Sequence, residues 1–239
     1  MKKILSKVRA AVDDYNMIED GDKIAIGVSG GKDSLLLLKA MCDLKRFYPK
    51  SFDIVAITAD MRFNNEDGDF SEIQKLCRRN NVEYVIKATD LYEIIFNIRK
   101  EQSPCSLCAR MRRGLLHDTA KELGCNKIAL GHHLDDAAET FMMNLLIESR
   151  VGCFSPVTYL SRKDITMIRP LVYVREKEVE NAAERLDLPV VESKCPANKN
   201  TKREDAKTLL KDLSKEYGDV PYKIVGAMQR GNISRWGED

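Results

Sequence analysis

Apolar and polar positions follow two rhythms along this chain. Short β-branched runs recur at 23–28, 52–60, 82–87, 127–131 and 165–171, each short for a helix. Between them lie longer stretches with apolar residues three and four apart. Residues 1–20 carry Ile4, Val8, Ala11 and Val12 on one face, and similar helical spacing covers 33–46, 69–80, 104–124, 137–148, 176–186 and 203–217. A short helix is expected at 91–100, an irregular stretch at 149–163 around Gly152 and Pro156, and extended chain at 188–191, with no element assigned beyond 217. Strands alternating with helices predict an α/β fold, a mainly parallel five-stranded sheet with helices on both faces. Ligands of such sheets bind at the carboxyl ends of the strands. One crevice should therefore gather Ser29–Ser34, Asp60, Gly131–Asp136 and Arg169. The pattern divides into an N-terminal helix (1–20), a central α/β unit (21–192) and a C-terminal helical extension (193–239).

The first strand runs into Ser29-Gly-Gly-Lys-Asp-Ser34 and then a leucine-rich helix. A turn of small residues before a helix presents free backbone N–H groups and the positive end of the helix dipole, so its natural occupant is an anion. Gly30 and Gly31 let the backbone approach that ligand, and Lys32 adds a mobile charge. The spacing is not that of a Walker A loop, since Gly27 to Gly31 is one residue short and Asp33 stands where a hydroxyl would bind magnesium. Nor is it G-x-G-x-x-G, because the glycines fall at 27, 30 and 31. Gly131-His-His-Leu-Asp-Asp136 ends the fourth strand, where glycine admits a ligand close to the backbone. The two carboxylates there suit either a divalent ion or the cap of the next helix. Ile168-Arg-Pro-Leu171 ends the fifth strand with a guanidinium suited to phosphate.

Composition narrows the class without naming a function. The 239 residues are 44% hydrophobic and 32% charged, with a net charge of +2, which fits one large globular unit. The apolar runs are too short to span a membrane and the N-terminus lacks a signal-peptide core, so a cytoplasmic protein is expected. Basic residues gather at Arg99, Lys100, Arg110, Arg112 and Arg113 and again at Lys194, Lys199, Lys202 and Arg203, either as solvated faces or as phosphate-backbone contacts. Seven cysteines argue against a disulfide framework. Cys42, Cys77, Cys125 and Cys153 read as small core residues, whereas Cys105 and Cys108 form C-x-x-C at a helix start, with Cys195 in a distant polar loop. The three thiols leave zinc open, with His117 or His132 as a fourth ligand, alongside a redox pair or a [4Fe–4S] cluster with one iron lacking a protein ligand.

The motif S-G-G-K-D-S resembles the PP-loop of the ATP-pyrophosphatase superfamily, whose fold is Rossmann-like. Followed by P-C-S-L-C-x-R-x-R-R-G-x-L, G-H-H-x-D-D and I-R-P-L, it resembles the TtcA family, which makes 2-thiocytidine in tRNA, over roughly 20–215. The resemblance implies ATP held by Ser29, Gly30, Gly31, Lys32, Asp33 and Ser34, with Asp60, Gly131, His132 and Arg169 around the nucleotide. It implies Mg²⁺ on Asp33 or Asp136 and a [4Fe–4S] cluster on Cys105, Cys108 and Cys195. Its expected partners are tRNA, held by basic residues near 99–113 and 199–203, and a sulfur donor, a cysteine desulfurase or hydrosulfide. A homodimer stays open. Around Cys195 the chain departs from the family pattern, with no second cysteine nearby. Two other readings remain at this point: a PP-loop enzyme that thiolates another base or activates a small molecule with zinc at the cysteines, and a nucleotide-sensing module without turnover.

Overall fold

In the computed structural model, the structure describes residues 1–63, 66–99, 104–191, 195 and 202–237. Six strands form one sheet: β1 (Asp22–Gly27), β2 (Phe52–Asp60), β3 (Glu83–Ala88), β4 (Lys127–Ala129), β5 (Val157–Leu160) and β6 (Ile165–Ile168). Their order is β3-β2-β1-β4-β6-β5, parallel throughout except that β5 runs antiparallel to β6.

The helices are α1 (Lys2–Asp14), α2 (Lys32–Lys45), α3 (Ser71–Arg79), α4 (Pro104–Glu122), α5 (Leu134–Leu146), α6 (Glu176–Arg185), α7 (Lys202–Tyr217) and α8 (Val220–Arg230). None of the helices among the described residues is long and apolar enough to cross a membrane.

The sheet is buried on both faces, and the strand period of two shows it. Ile24 and Ile26 of β1, with Ile54 and Ala56 of β2, face the core built around α2, while Ala25, Val55 and Ile57 face α4. Leu35–Leu38, Ala40, Met41 and Leu44 of α2 are all buried, which makes that helix the central pillar of one layer. Each such leucine contributes about 1.5–3 kcal/mol relative to an exposed one. The pillar thus anchors the turn at its N-terminus.

The chain runs outward from β1 through β2 to β3, then returns to the other side of β1 as β4. The direction of winding therefore reverses between β1 and β4, and their carboxyl ends diverge into a crevice there. The phosphate-type turn and the Gly131–Asp136 turn leave from those two ends.

Five strands were expected and six are present. The extra one, β5, lies in the stretch read as irregular: only four residues long, it forms a hairpin with β6 across the polar turn 161–164, and Pro156 precedes it. The expected helix at 91–100 is mostly a π-helix, Glu93–Ile98. The first helix stops at Asp14, because Asn16 takes a left-handed φ of 45°. The fifth helix begins at Leu134 rather than 137, because His133 caps it. Residues 188–191 pair with no strand. Helix α8 follows an Asp219 cap and has Pro221 in its first turn, a start signal in the unassigned tail.

Candidate functional site

The Ser29–Ser34 turn is held by its own side chains. Ser34 Oγ accepts from Ser29 N at 3.1 Å and donates to the Gly31 carbonyl at 2.9 Å, while Gly31 N donates to Ser29 Oγ at 3.4 Å. Gly30 has φ +86°, which favours glycine. A methyl there would lie 3.1 Å from Val191 Cβ, because Val191 N bonds the Gly30 carbonyl at 3.0 Å. No side chain caps the N-terminus of α2. The donors of its first turn are left to a ligand.

Gly131 brings the end of β4 against this turn: a Cβ there would meet Asp33 C and O and Ser34 N at 3.1 Å. The two aspartates that follow do different work. Asp135 accepts from Arg175 Nε at 3.0 Å and from Glu176 N at 2.6 Å, tying α6 to α5. Asp136 accepts from His133 N at 2.9 Å and returns its own N–H to His133 Nδ1 at 3.3 Å, a capping box. Since Nδ1 accepts, the His133 proton belongs on Nε2. That nitrogen lies 3.5 Å from Asp136 Oδ2 and 3.8 Å from Asp33 Oδ1, so both carboxylates converge on one imidazole edge.

Between these turns and α4 lies a cavity of about 560 Å³, lined by Ser29, Asp33, Ser34, Gly131, His132, Asp136 and Arg169 from the strand ends. Ala109, Arg112 and Arg113 line it from α4. Three buried polar atoms of these lining residues have no hydrogen-bond partner among the described residues: Asp33 Oδ1, His132 Nδ1 and Arg169 Nε. The Lys32 ammonium is 3.2 Å from Asp33 Oδ1 but out of line for a hydrogen bond. Unpaired buried polar atoms are costly, and three in one cavity mark a place built for a polar ligand.

Burial, followed by the charge of Arg169, pushes His132 down to about 4, so it is neutral at pH 7. Its ring lies 5.0 Å from that of Phe154, over which the Arg169 guanidinium sits at 4.9 Å. Burial lowers Arg169 to about 10, which leaves it charged. Below the cavity, Glu139 of α5 is buried beside Asp136, and burial lifts its carboxyl to about 7.

Lys32 lies outside the cavity lining and reaches Glu176 Oε1 at 3.4 Å. Burial works against its charge, but Asp33 and Glu176 prevail and raise its pKa. Asp60, expected beside the nucleotide, instead accepts from the N–H groups of Arg62 (3.0 Å) and Gly68 (2.9 Å) and shapes the loop after β2. Arg203, grouped by sequence with the basic surface, is turned inward: it pairs with Asp136 Oδ1 at 2.9 Å and bonds Thr140. Lys100, Lys194 and Lys199 of the basic groups lie outside the described residues.

None of the seven cysteines forms a disulfide; Cys105 is exposed, and Cys108 and Cys195 are half-buried. Burial pushes the Cys108 thiol up, Arg112 opposes this, and the charges of Cys195 and Cys105 add to the rise. Cys195, ninety positions along the chain, is thus an electrostatic neighbour of the C-x-x-C pair. Among the described residues no three His, Cys, Asp or Glu side chains close on a single metal ion. A cluster asks for something else, three sulfurs that each reach a different iron, and Cys105 and Cys195 both lie near enough to Cys108 for their charges to act on it, which fits that need. Arg112, which belongs to the same helix and lines the cavity, connects the two regions. The lone orphaned Asp33 oxygen facing Asp136 across His133 likewise fits a divalent ion.

The chain is similar to known proteins over most of its length. A family model described as a PP-loop domain matches residues 2–211. The chain is 39% identical over 235 residues to a tRNA-cytidine(32) 2-sulfurtransferase of Geobacter sulfurreducens, covering 97% of this chain and 90% of that one. Identity to a tRNA-cytidine(32) 2-sulfurtransferase of Acinetobacter baumannii is 37% over 236 residues, with 98% and 77% covered. Among solved structures, the U34-tRNA thiolase NcsA of Methanococcus maripaludis with its [4Fe-4S] cluster superposes with a TM-score of 0.76 at 27% identity, over 96% of this chain and 77% of that one.

Proposed function

This chain belongs to the PP-loop domain family, within the group of the tRNA-cytidine(32) 2-sulfurtransferases, and we propose that it thiolates a tRNA cytidine by adenylating the base and then exchanging oxygen for sulfur. The observation that carries this reading is the cavity with three orphaned polar atoms, floored by the Ser29–Ser34 turn and walled by the helix that bears Cys105 and Cys108.

ATP is the first substrate. Its phosphates lie on the N–H groups of the Ser29–Ser34 turn, with Lys32 balancing their charge, and its α-phosphorus faces the cavity. Arg169 Nε and His132 Nδ1 meet polar atoms of the nucleotide or base with the donor and acceptor they now leave unpaired. A divalent ion such as Mg²⁺ would be held by Asp33 and Asp136 and would supply further charge neutralisation. The base carbonyl oxygen attacks the α-phosphorus, its bond forming as the bond to the bridging oxygen breaks and pyrophosphate leaves. Preorganised donors on the turn stabilise the charge of that transition state. A sulfur nucleophile then adds to the activated carbon, and AMP leaves with the former carbonyl oxygen.

Cys105, Cys108 and Cys195 would hold a [4Fe–4S] cluster, which supplies an iron open to an exogenous sulfur ligand. The charge of Arg112 favours the thiolate of Cys108, the form that would bind iron. The target base must leave its stack to enter, and Arg99, Arg110 and Arg113, all exposed, are positioned to hold the RNA backbone.

Protein purified without oxygen should carry iron and acid-labile sulfide in equal amounts, about four of each per chain. Each of the three cysteine-to-alanine variants should lose iron. Iron-free protein that still thiolates tRNA would overturn the proposal.

A further inference from the structure

Helix α7 reaches the phosphate turn with two long cations. Arg203 pairs with Asp136 at 2.9 Å and lies 3.8 Å from Glu139. Lys207 pairs with Glu176 Oε2 at 2.8 Å, and the other oxygen of the same carboxylate is 3.4 Å from Lys32 of the turn. Spaced four apart, Arg203 and Lys207 share one face of α7, directed at the turn. Glu176 is therefore an anion bracketed by an ammonium from the turn and an ammonium from α7. A phosphate group bound at the turn would present its oxygens to the same two cations.

Charge balance favours an exchange. Asp33, Asp135, Asp136, Glu139 and Glu176 crowd this corner, and a triphosphate brings about four more negative charges. Of the cations, Lys32 belongs to the turn, and Arg175 is held by Asp135 on one side and Asp219 on the other. Arg203 and Lys207 are each 43% exposed and sit on flexible stems, so among the described residues here they are the cations most free to re-aim.

We infer that α7 supplies two phosphate ligands, Arg203 and Lys207, which leave Asp136 and Glu176 for the β and γ phosphates when ATP enters. Until then Glu176 is the internal stand-in between Lys207 and Lys32, and Asp136 holds Arg203. The inference rests on the assignment of Ser29–Ser34 to the phosphates. It makes α7 a reader of the triphosphate, whereas the cavity reads the rest of the nucleotide.

The test is titration calorimetry of the full-length chain with ATP, pyrophosphate and AMP, on wild type, Lys207→Gln, Arg203→Gln and Glu176→Gln. Lys207→Gln and Arg203→Gln should weaken ATP and pyrophosphate by ~10-fold or more, the size of a lost charge-assisted bond, and leave AMP within twofold. Glu176→Gln should tighten ATP. A purely structural clip would move ATP and AMP together. An unchanged ATP-to-AMP affinity ratio in Lys207→Gln overturns the inference. Lys207 is 43% exposed, so that variant decides the matter even where Arg203→Gln fails to fold, as a thermal melt will show. Wild type that binds no ATP would instead overturn the nucleotide assignment beneath it.

Discussion

The Ser29–Ser34 turn, which lines the cavity, and the cysteine group on and near α4, the helix that walls it, are built in opposite ways. Ser29–Ser34 is contiguous, internally hydrogen-bonded and seated on α2, whose apolar side chains are almost entirely buried. Its geometry follows from a strand, two glycines and a helix start. The cysteine group draws Cys105 and Cys108 from one helix and Cys195 from a loop ninety positions later, and its sulfurs lie at or near the surface. The turn is an anion site that any adenylating chemistry can use. On the proposed reading the cysteine group selects the sulfur chemistry, and of its three members Cys108 packs against the buried cluster of Met61, Leu91, Ile95 and Leu107.

If the two regions are separable, substitutions in one should spare the other. The largest effect is expected for Cys108→Ala, which should abolish thiolation and iron content while leaving ATP affinity within about twofold, a change too small for a lost direct contact. Parallel loss of ATP binding would show that the regions are one. Lys32→Ala is the mirror experiment: adenylation should fall by about 100-fold, the scale of a lost electrostatic stabiliser, with iron content unchanged.

Glu139 sharpens the picture beneath the turn. Its folded carboxyl, at about 7, lies above the ordinary 4.5, so the native state binds the extra proton between those values. Its stabilising contribution is complete below pH 4.5 and is lost as pH rises through 7, a change of about 3 kcal/mol. Asp136, Arg203, Lys207 and Glu176 face it, and buried His132, lowered to about 4, acts in the opposite direction between 4 and 6.5. Denaturant melts should show wild type losing stability relative to Glu139→Gln across pH 4.5–7. Parallel curves would show that Glu139 is not buried as described. The smallest effect is expected for Gly131→Ala. Its Cβ would press on the Asp33 backbone at 3.1 Å, costing about 1–3 kcal/mol in a melt and weakening ATP more than it disturbs iron binding.

How much of this was legible in the sequence follows from the same contrast. The turn, the mainly parallel sheet and its cover of helices on both faces were readable because they depend on local spacing and on the alternation of strand and helix along the chain. Strand β5 was not, since four residues beside Pro156 acquire their meaning only from pairing with β6. The split between Asp135 and Asp136 was equally hidden. The residues are adjacent and identical in type, and Arg175, far away in the chain, decides which one is structural. Arg203 read as surface charge because its partner lies on another helix. Of the missed groups, Glu139 had a local signal: it lies at helical spacing from Asp136, on the apolar face of α5.

The central claim, that the cavity couples cleavage of ATP between its α and β phosphates to thiolation of a tRNA base, is tested most directly with α-labelled ATP. Anaerobic protein, unmodified tRNA and a sulfur donor should yield AMP, pyrophosphate and thiolated cytidine in equal amounts, with no AMP formed when tRNA is left out. Formation of ADP, or AMP release that ignores tRNA, would contradict it.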